Sequence, residues 1–173
     1  MAIVKASYTR HGGIAKASVR YIENRPGKDG AKLQRTLFTA DGRVERVEVY
    51  DMIDQADKSS YFFRLVISPD PEHEDGDKNL ALREITERTI RSLADRFQKP
   101  LQWAAAIHAD HTDTRHIHAL VIVPARLQVP DFQRMRTAAT DIAREQRRQL
   151  DLLRATREQR QEQREGLELG LSW

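Results

Sequence analysis

Two apolar runs, LQWAAAIH over Leu101–His108 and HIHALVIV over His116–Val123, flank the polar stretch ADHTDTR. Runs of this length and composition read as strands, and a polar turn between them folds the second back on the first as an antiparallel hairpin. Pro124 ends the second strand, since it has no N–H to give to a ladder.

The remaining elements are read outward from that hairpin. Ala2–Thr9 reads as a short strand that Gly12 and Gly13 terminate. From Ile14 to about Asn24 the residues Ile14, Ala15, Val19 and Ile22 recur at helical spacing, and Pro26 with Gly27 closes the segment. Asp41-Gly42, between the β-rich runs LQRTLFTA and RVERVEVY, predicts a β-hairpin over Lys32–Tyr50. YFFRLVIS over Tyr61–Ser68 is a buried-type strand stopped by Pro69 and Pro71, and the acidic loop PDPEHEDGD follows. Leu82, Ile85, Thr89, Leu93 and Phe97 form the apolar stripe of a helix that should lie on a sheet. From Asp131 the chain turns helical and very polar. There Phe132, Met135, Ala139 and Ile142 can cover a core, whereas RATREQRQEQREG has almost nothing to bury and reads as a solvated or frayed helix, with a DNA-contacting arm as the alternative.

The order β, α, ββ, β, α, ββ, α predicts an α+β fold, an antiparallel β-sheet with helices packed on one face and a polar C-terminal helix. Length fits one domain: residues 1–130 form the unit, and residues 131–173 are a charged helix belonging to it or a solvated extension of it. The chain has no cysteine, which excludes disulfides and thiolate metal sites and leaves nitrogen and oxygen ligands for any metal. A net charge of +3 permits a polyanionic partner. No apolar run approaches the roughly 20 residues needed to cross a bilayer, so no membrane partner is expected and a cytoplasmic location is the default.

Four of the six histidines fall in AIHADHTDTRHIHALVIVP, from Ala106 to Pro124. On a strand, alternate side chains share a face, so His116 and His118 project together, about 7 Å apart along the chain. His108, at the end of the partner strand, joins them if the register places it opposite. Two unpartnered imidazoles in so apolar a strand would cost several kcal/mol on burial, about the price of any buried polar group left without a bond. Metal ligation removes that cost. Three imidazoles with open positions suit a divalent cation that also grips a phosphate oxygen. Asp110 and Asp113, in the intervening turn, are candidates to orient the ligands.

The stretch HADHTDTRHIHALVIV resembles the third motif of conjugative relaxases, which belong to the HUH endonuclease superfamily and are named for histidine, hydrophobic residue, histidine. AKASVRYIENRPGKDG resembles the first relaxase motif and YFFRLVISPDPE the second, in the same order along the chain. The first histidine stands one position further from the HUH triplet than in many relatives, which leaves His108 and His111 both open as the third ligand. His108 is preferred because the strand pattern carries it.

The resemblance implies a DNA relaxase, a strand-specific nickase acting at an origin of transfer. A tyrosine oxygen attacks a phosphodiester, frees a 3′-hydroxyl and stays bound to the 5′-phosphate. It further implies Tyr21 as nucleophile, with Tyr8 the competing candidate, and His108, His116 and His118 as ligands of Mg²⁺ or Mn²⁺. Asp110 or Asp113 would assist the catalysis. Single-stranded DNA or a DNA hairpin is the implied substrate, with accessory relaxosome proteins supplying the unwinding. Lys16, Arg20, Arg25 and Lys28 surround the proposed nucleophile and could hold phosphates, Ser68 would help position the strand, and the acidic loop should lie away from the DNA. The alternatives are an HUH replication initiator or transposase, in which the tyrosine follows the HUH motif, and a DNA-hairpin-binding module of the same fold that does not cut.

Overall fold

The computed structural model describes residues 1–110 and 114–170. Along the described chain run β1 (Ile3–Thr9), α1 (Gly12–Asn24), β2 (Phe38–Thr39), β3 (Gly42–Arg43), α2 (Arg46–Gln55), β4 (Tyr61–Ser68), α3 (Leu82–Phe97), β5 (Gln102–His108), β6 (His116–Val123) and α4 (Val129–Gly170). The fold is α+β: the strands make one antiparallel sheet in the order β1-β4-β6-β5-β2-β3. No helix among the described residues is long and apolar enough to cross a membrane.

The most apolar strands take the middle of the sheet, with β6 between β4 and β5. Strand alternation then divides the side chains between two faces. Phe63, Leu65, Ile67, Trp103, Ala105, Ile117, Ala119 and Val121 pack against Ile85, Ile90 and Leu93 of α3 and Met135, Ala139 and Ile142 of α4. Phe62, Ala104, Ala106 and Leu120 pack on the other face against Ala15, Val19 and Ile22 of α1 and Val49 and Ile53 of α2. Helices therefore cover both faces, not one as the element order alone implied. The second cover is α1 together with α2; the sequence reading had α1 as a helix and α2 as a strand.

The run RVERVEVY is where strand and helix signals competed. Only a minimal hairpin survives at Asp41-Gly42, two residues on each side, with Gly42 at φ 116°, a conformation that suits glycine. From Arg46 the chain is helical. Glu45 and Glu48 form a reciprocal capping box at the start of α2, satisfying backbone N–H groups that a helix end leaves open. Val49 and Ile53, four apart, then bury against α1 and the sheet, while Val47 is left in water.

The acidic loop after β4 is folded in, not solvated. Glu74 and Asp75 are buried, and Arg115, next to the first histidine of β6, holds the Asp75 carboxylate through its Nε and a terminal nitrogen at 2.9 and 2.7 Å. Asp70 receives backbone N–H bonds from Glu72 and His73 and pairs with the Met1 ammonium at 2.7 Å, which together hold its carboxyl well below the usual carboxylate range.

Helix α4 lies antiparallel to β6 on the α3 side. Its first half belongs to the core, with Met135, Ala139 and Ala143 fully buried, and its second half, from Asp151, is exposed throughout the described side chains. Met135→Ala should therefore cost about 2–5 kcal/mol of unfolding free energy, as other large-to-small core changes do. Leu153→Ala on the same helix should stay within about 0.5 kcal/mol of the parent. Urea denaturation followed by circular dichroism measures both, and equal losses would mean that the whole of α4 packs on the domain.

Candidate metal centre

The β5–β6 ladder settles the register that the sequence left open. His108 pairs directly with His116, and Ala106 pairs with His118. Paired residues share a face, so all three imidazoles project from one side of the sheet, at the end where β5 stops and β6 begins. Their ring centroids lie 4.4 to 5.5 Å apart, and one nitrogen from each comes within 4.8 Å of the others, near enough for small ring rotations to close them on one ion. His111 and Asp113 lie outside the described residues; among those described, His108 is the histidine that lies beside His116 and His118.

Each ring's environment decides which nitrogen is free. His108 is fully buried and its Nε2 donates to the Ile22 carbonyl at 2.8 Å, leaving Nδ1 without a partner. That carbonyl is available for a local reason. In a continuing helix Ile22 would accept from the N–H of residue 26, but residue 26 is proline and has none. His116 Nδ1 faces the Thr114 carbonyl at 3.4 Å, which leaves its Nε2 for the site. Both nitrogens of His118 are buried without a partner. An orphaned buried acceptor costs about 1–3 kcal/mol. Unpartnered nitrogens on His108 and His118, with one nitrogen of the half-buried His116 within 4.8 Å, fit a cation as their common partner.

Burial also keeps these rings neutral. It pushes His108 down to about 4 and His118 to about 3, and lowers His116, with neighbouring imidazoles and the guanidinium groups of Arg25 and Arg35 acting in the same direction. All three thus present lone pairs at neutral pH, as ligation requires.

Among the described residues, the backbone carbonyls of Ile22 and Thr114 orient the His108 and His116 rings. Asp110 is engaged elsewhere. Its two oxygens take Nε and Nη2 of Arg35 at 2.8 to 3.3 Å, which lowers its pKa, and Arg35 also donates to the Arg25 carbonyl at 2.8 Å. This pair straps the segment after α1 across the mouth of the hairpin. Gly27 sits so close beneath it that a Cβ there would meet Asp29 and Leu33 at 3.0 Å. Orienting a ligand was the role expected of Asp110, and the geometry gives it the strap instead.

Tyr21 stands in the last turn of α1, one residue before the carbonyl that holds His108. Its ring lies 6.0 Å from that of His118, edge to face, and is 40% exposed. Two guanidinium groups flank it, Arg25 at 5.5 Å and Arg64 at 5.7 Å from the ring centroid. Arg64 was missed in the sequence, although the signal was there as the single charge inside YFFRLVIS. It shares a face of β4 with Val66, which pairs with His118. Tyr8 is on the other side of the sheet. It pairs with Phe63, stacks on Tyr61 and Phe63, and lies under Arg126.

The basic residues of α1 divide in the same way. Lys16 pairs with Asp54 at 2.7 Å and Arg20 donates to the Tyr50 hydroxyl at 3.2 Å, so both turn toward α2. Lys28 lines a recess of the strap with Gly27, Asp29 and Asp110. Ser68 is half-buried on the histidine face at the end of β4, its hydroxyl 3.5 Å from the Pro69 carbonyl. Neither a known family model nor a curated protein matches the sequence.

Two measurements test this centre. Calorimetric titration of Mn²⁺ should give one site per chain, and His118→Ala or His116→Ala should weaken binding at least about tenfold, a size typical for loss of a coordinating group or its support. Unchanged affinity would remove the triad as a metal site. The second uses pH. The unfolded chain protonates His118 near 6.5, whereas the metal-free folded chain resists until about 3, so between these values the unfolded state holds more protons and stability falls as pH falls. The stability of the metal-free parent relative to His118→Leu should therefore decline steadily from pH 6.5 downward. A difference independent of pH would mean that the folded ring titrates normally.

Proposed function

We propose that this protein is a metal-dependent DNA-strand transesterase of the relaxase type, with Tyr21 as its nucleophile. The observation that carries the reading is the meeting of Tyr21 with the histidine triad, a phenol 6.0 Å from His118 and flanked by Arg25 and Arg64. Tyr8, across the sheet, has no such setting.

In this reading a single strand crosses the open end of the hairpin. Arg25 and Arg64 hold its phosphates, and the exposed edge of Tyr21 meets the scissile one. The phenolic oxygen attacks phosphorus, the bond to the 3′ oxygen breaks, and that oxygen leaves as a hydroxyl after taking a proton from solvent. The 5′-phosphate stays on Tyr21. The phenolic proton passes to water, which reaches Tyr21 freely. A divalent cation held by His108, His116 and His118 would supply charge neutralisation at the phosphate. An all-imidazole set ranks Mn²⁺ ahead of Mg²⁺, which prefers oxygen ligands. The attack is reversible, because the phosphotyrosyl ester stores the energy of the broken bond, and this distinguishes strand transfer from hydrolysis.

The test is direct. Protein, Mn²⁺ and a pool of labelled single-stranded oligonucleotides of randomised sequence are mixed and run on a denaturing gel. The parent should form a covalent adduct that Tyr21→Phe abolishes while still binding metal, and Tyr8→Phe should keep adduct formation within about threefold of the parent, its ring packing being intact. Cleaved strands without adduct, from the parent and from both variants, would replace tyrosine attack with metal-activated water. An adduct lost in Tyr8→Phe and kept in Tyr21→Phe would overturn the assignment.

A further inference from the structure

The three imidazoles of the triad are not equally supported. His118 lies inside β6, with Val66 of β4 on one side and Ala106 of β5 on the other, and His108 is held by the Ile22 carbonyl at 2.8 Å. His116 is the first residue of β6. The ladder with β4 ends at Ile67 and Ile117, so His116 has a strand partner on the β5 side alone, and that partner is His108, the last residue of β5. Its ring contact is also the longer one, Nδ1 to the Thr114 carbonyl at 3.4 Å. Strand ends fray, because a terminal rung has neighbours on one side only. A ligand placed there needs another anchor.

Arg115 supplies one. It stands between Thr114, whose carbonyl faces the His116 ring, and His116 itself. Its Nε and Nη2 donate to the two oxygens of Asp75 at 2.9 and 2.7 Å, and Nη2 also donates to the Leu80 carbonyl at 3.0 Å. Three bonds from one planar fork fix both the place and the direction of a guanidinium. Asp75 is fixed in turn. Its Oδ1 accepts the Leu80 N–H at 3.2 Å, its own N–H donates to the Asp70 carbonyl at 2.9 Å, and its carbonyl accepts the Lys78 N–H at 3.0 Å. Lys78 holds φ 53°, a left-handed conformation that a residue with a side chain adopts only where its surroundings impose it. Leu80 packs in the core on the α3–α4 side, so the grip comes from behind the sheet and leaves the histidine face open.

We propose that Asp75 and Arg115 are a positioning pair for the metal centre, setting the place and the tautomer of His116 from the opposite face of the sheet. Their role rests on the histidines being the metal site of the proposed function, and it is independent of Tyr21. Stability alone accounts poorly for such a pair, since the desolvation of two buried charges offsets much of their attraction and apolar packing of like volume often stabilises as much. What the ion pair adds is direction. Support runs from the acidic loop through Asp75 and Arg115 into the backbone from Thr114 to His116. The Thr114 carbonyl then takes the Nδ1 proton of His116 and leaves Nε2 as the ligand atom. The acidic loop, which binds nothing at the site itself, thereby acts as the mount of its least supported ligand.

The experiment measures Ni²⁺ affinity of the full chain by calorimetry, in the parent and in His116→Ala, each with and without the pair. Imidazole binds Ni²⁺ more tightly than Mn²⁺, which keeps the weakened chains measurable. Asp75→Asn together with Arg115→Gln removes the ion pair at constant net charge, so the general field on the metal is unaltered. Arg115→Lys keeps the charge and removes the fork, and it carries the comparison if thermal unfolding shows that the first variant does not fold. Either change should weaken Ni²⁺ at least about tenfold in the parent, as loss of support behind a ligand does, and by less than about twofold where His116 is already alanine. In the metal-free chain, two-bond proton–nitrogen NMR spectra should show His116 protonated at Nδ1 in the parent and averaged between its two nitrogens in the variants, with His108 protonated at Nε2 throughout. Unchanged affinity in a folded variant overturns the proposal, as does a His116 tautomer that does not respond. An equal loss in the parent and His116→Ala backgrounds overturns it too, being what a general loosening of the domain gives. A parent that binds no Ni²⁺ overturns the metal centre itself and the pair's role with it, whereas a parent that binds and variants that match it overturn the pair alone.

Discussion

The pairing of His108 with His116 is the constraint on which the site rests. Side chains on a strand alternate with a period of two, so a slip of one residue between β5 and β6 would send one strand's histidines to the opposite face of the sheet. The apolar residues of the two strands prevent that slip. Ile117, Ala119 and Val121 are committed to the α3–α4 side, and Leu120 to the α1–α2 side. The triad is assembled by residues that have no part in its chemistry.

A second dependence runs through the end of α1. Pro26 forces the helix to stop and leaves the Ile22 carbonyl without its usual donor, and His108 fills the gap. Tyr21 is the residue before. The phenol and the His108 imidazole are therefore referenced to adjacent residues of one helix, and the geometry between them does not depend on a flexible loop. Arg35 and Asp110 close the segment that follows, holding Arg25 by its own carbonyl near the tyrosine ring.

Much of this was legible in the sequence, for identifiable reasons. The β5–β6 hairpin, β4, α1 and α3 announce themselves by uninterrupted apolar runs or by a stripe of helical period, and by proline and glycine at their ends. The grouping of the histidines follows from strand alternation once the register is known. RVERVEVY misled because its valines satisfy a strand's propensity, while the capping pair Glu45 and Glu48 and the Val49–Ile53 spacing, which decide for helix, are visible only when the two are weighed together. With α2 misread, half of the cover on the second face was missing, and nothing in the local pattern of α1 says to which face of the sheet it goes. The roles of Asp110 and Arg64 could not be read at all from local pattern. One depends on Arg35, seventy-five residues earlier, and the other on the approach of α1 to a strand far along the chain.

The Ile22 carbonyl carries one further consequence. A ligand oriented by a carboxylate can lose its support through one change of side chain, as an Asp becomes an Asn or an Ala. A ligand oriented by a main-chain oxygen cannot, since every amino acid supplies that oxygen. The position that matters is four residues on, where a residue other than proline has an N–H that would compete for the same acceptor once the helix extended through Arg25. The support of His108 is thus indifferent to what stands at position 22 and vulnerable at position 26, so drift in the sequence around this site would be tolerated unevenly, in a pattern set by the backbone.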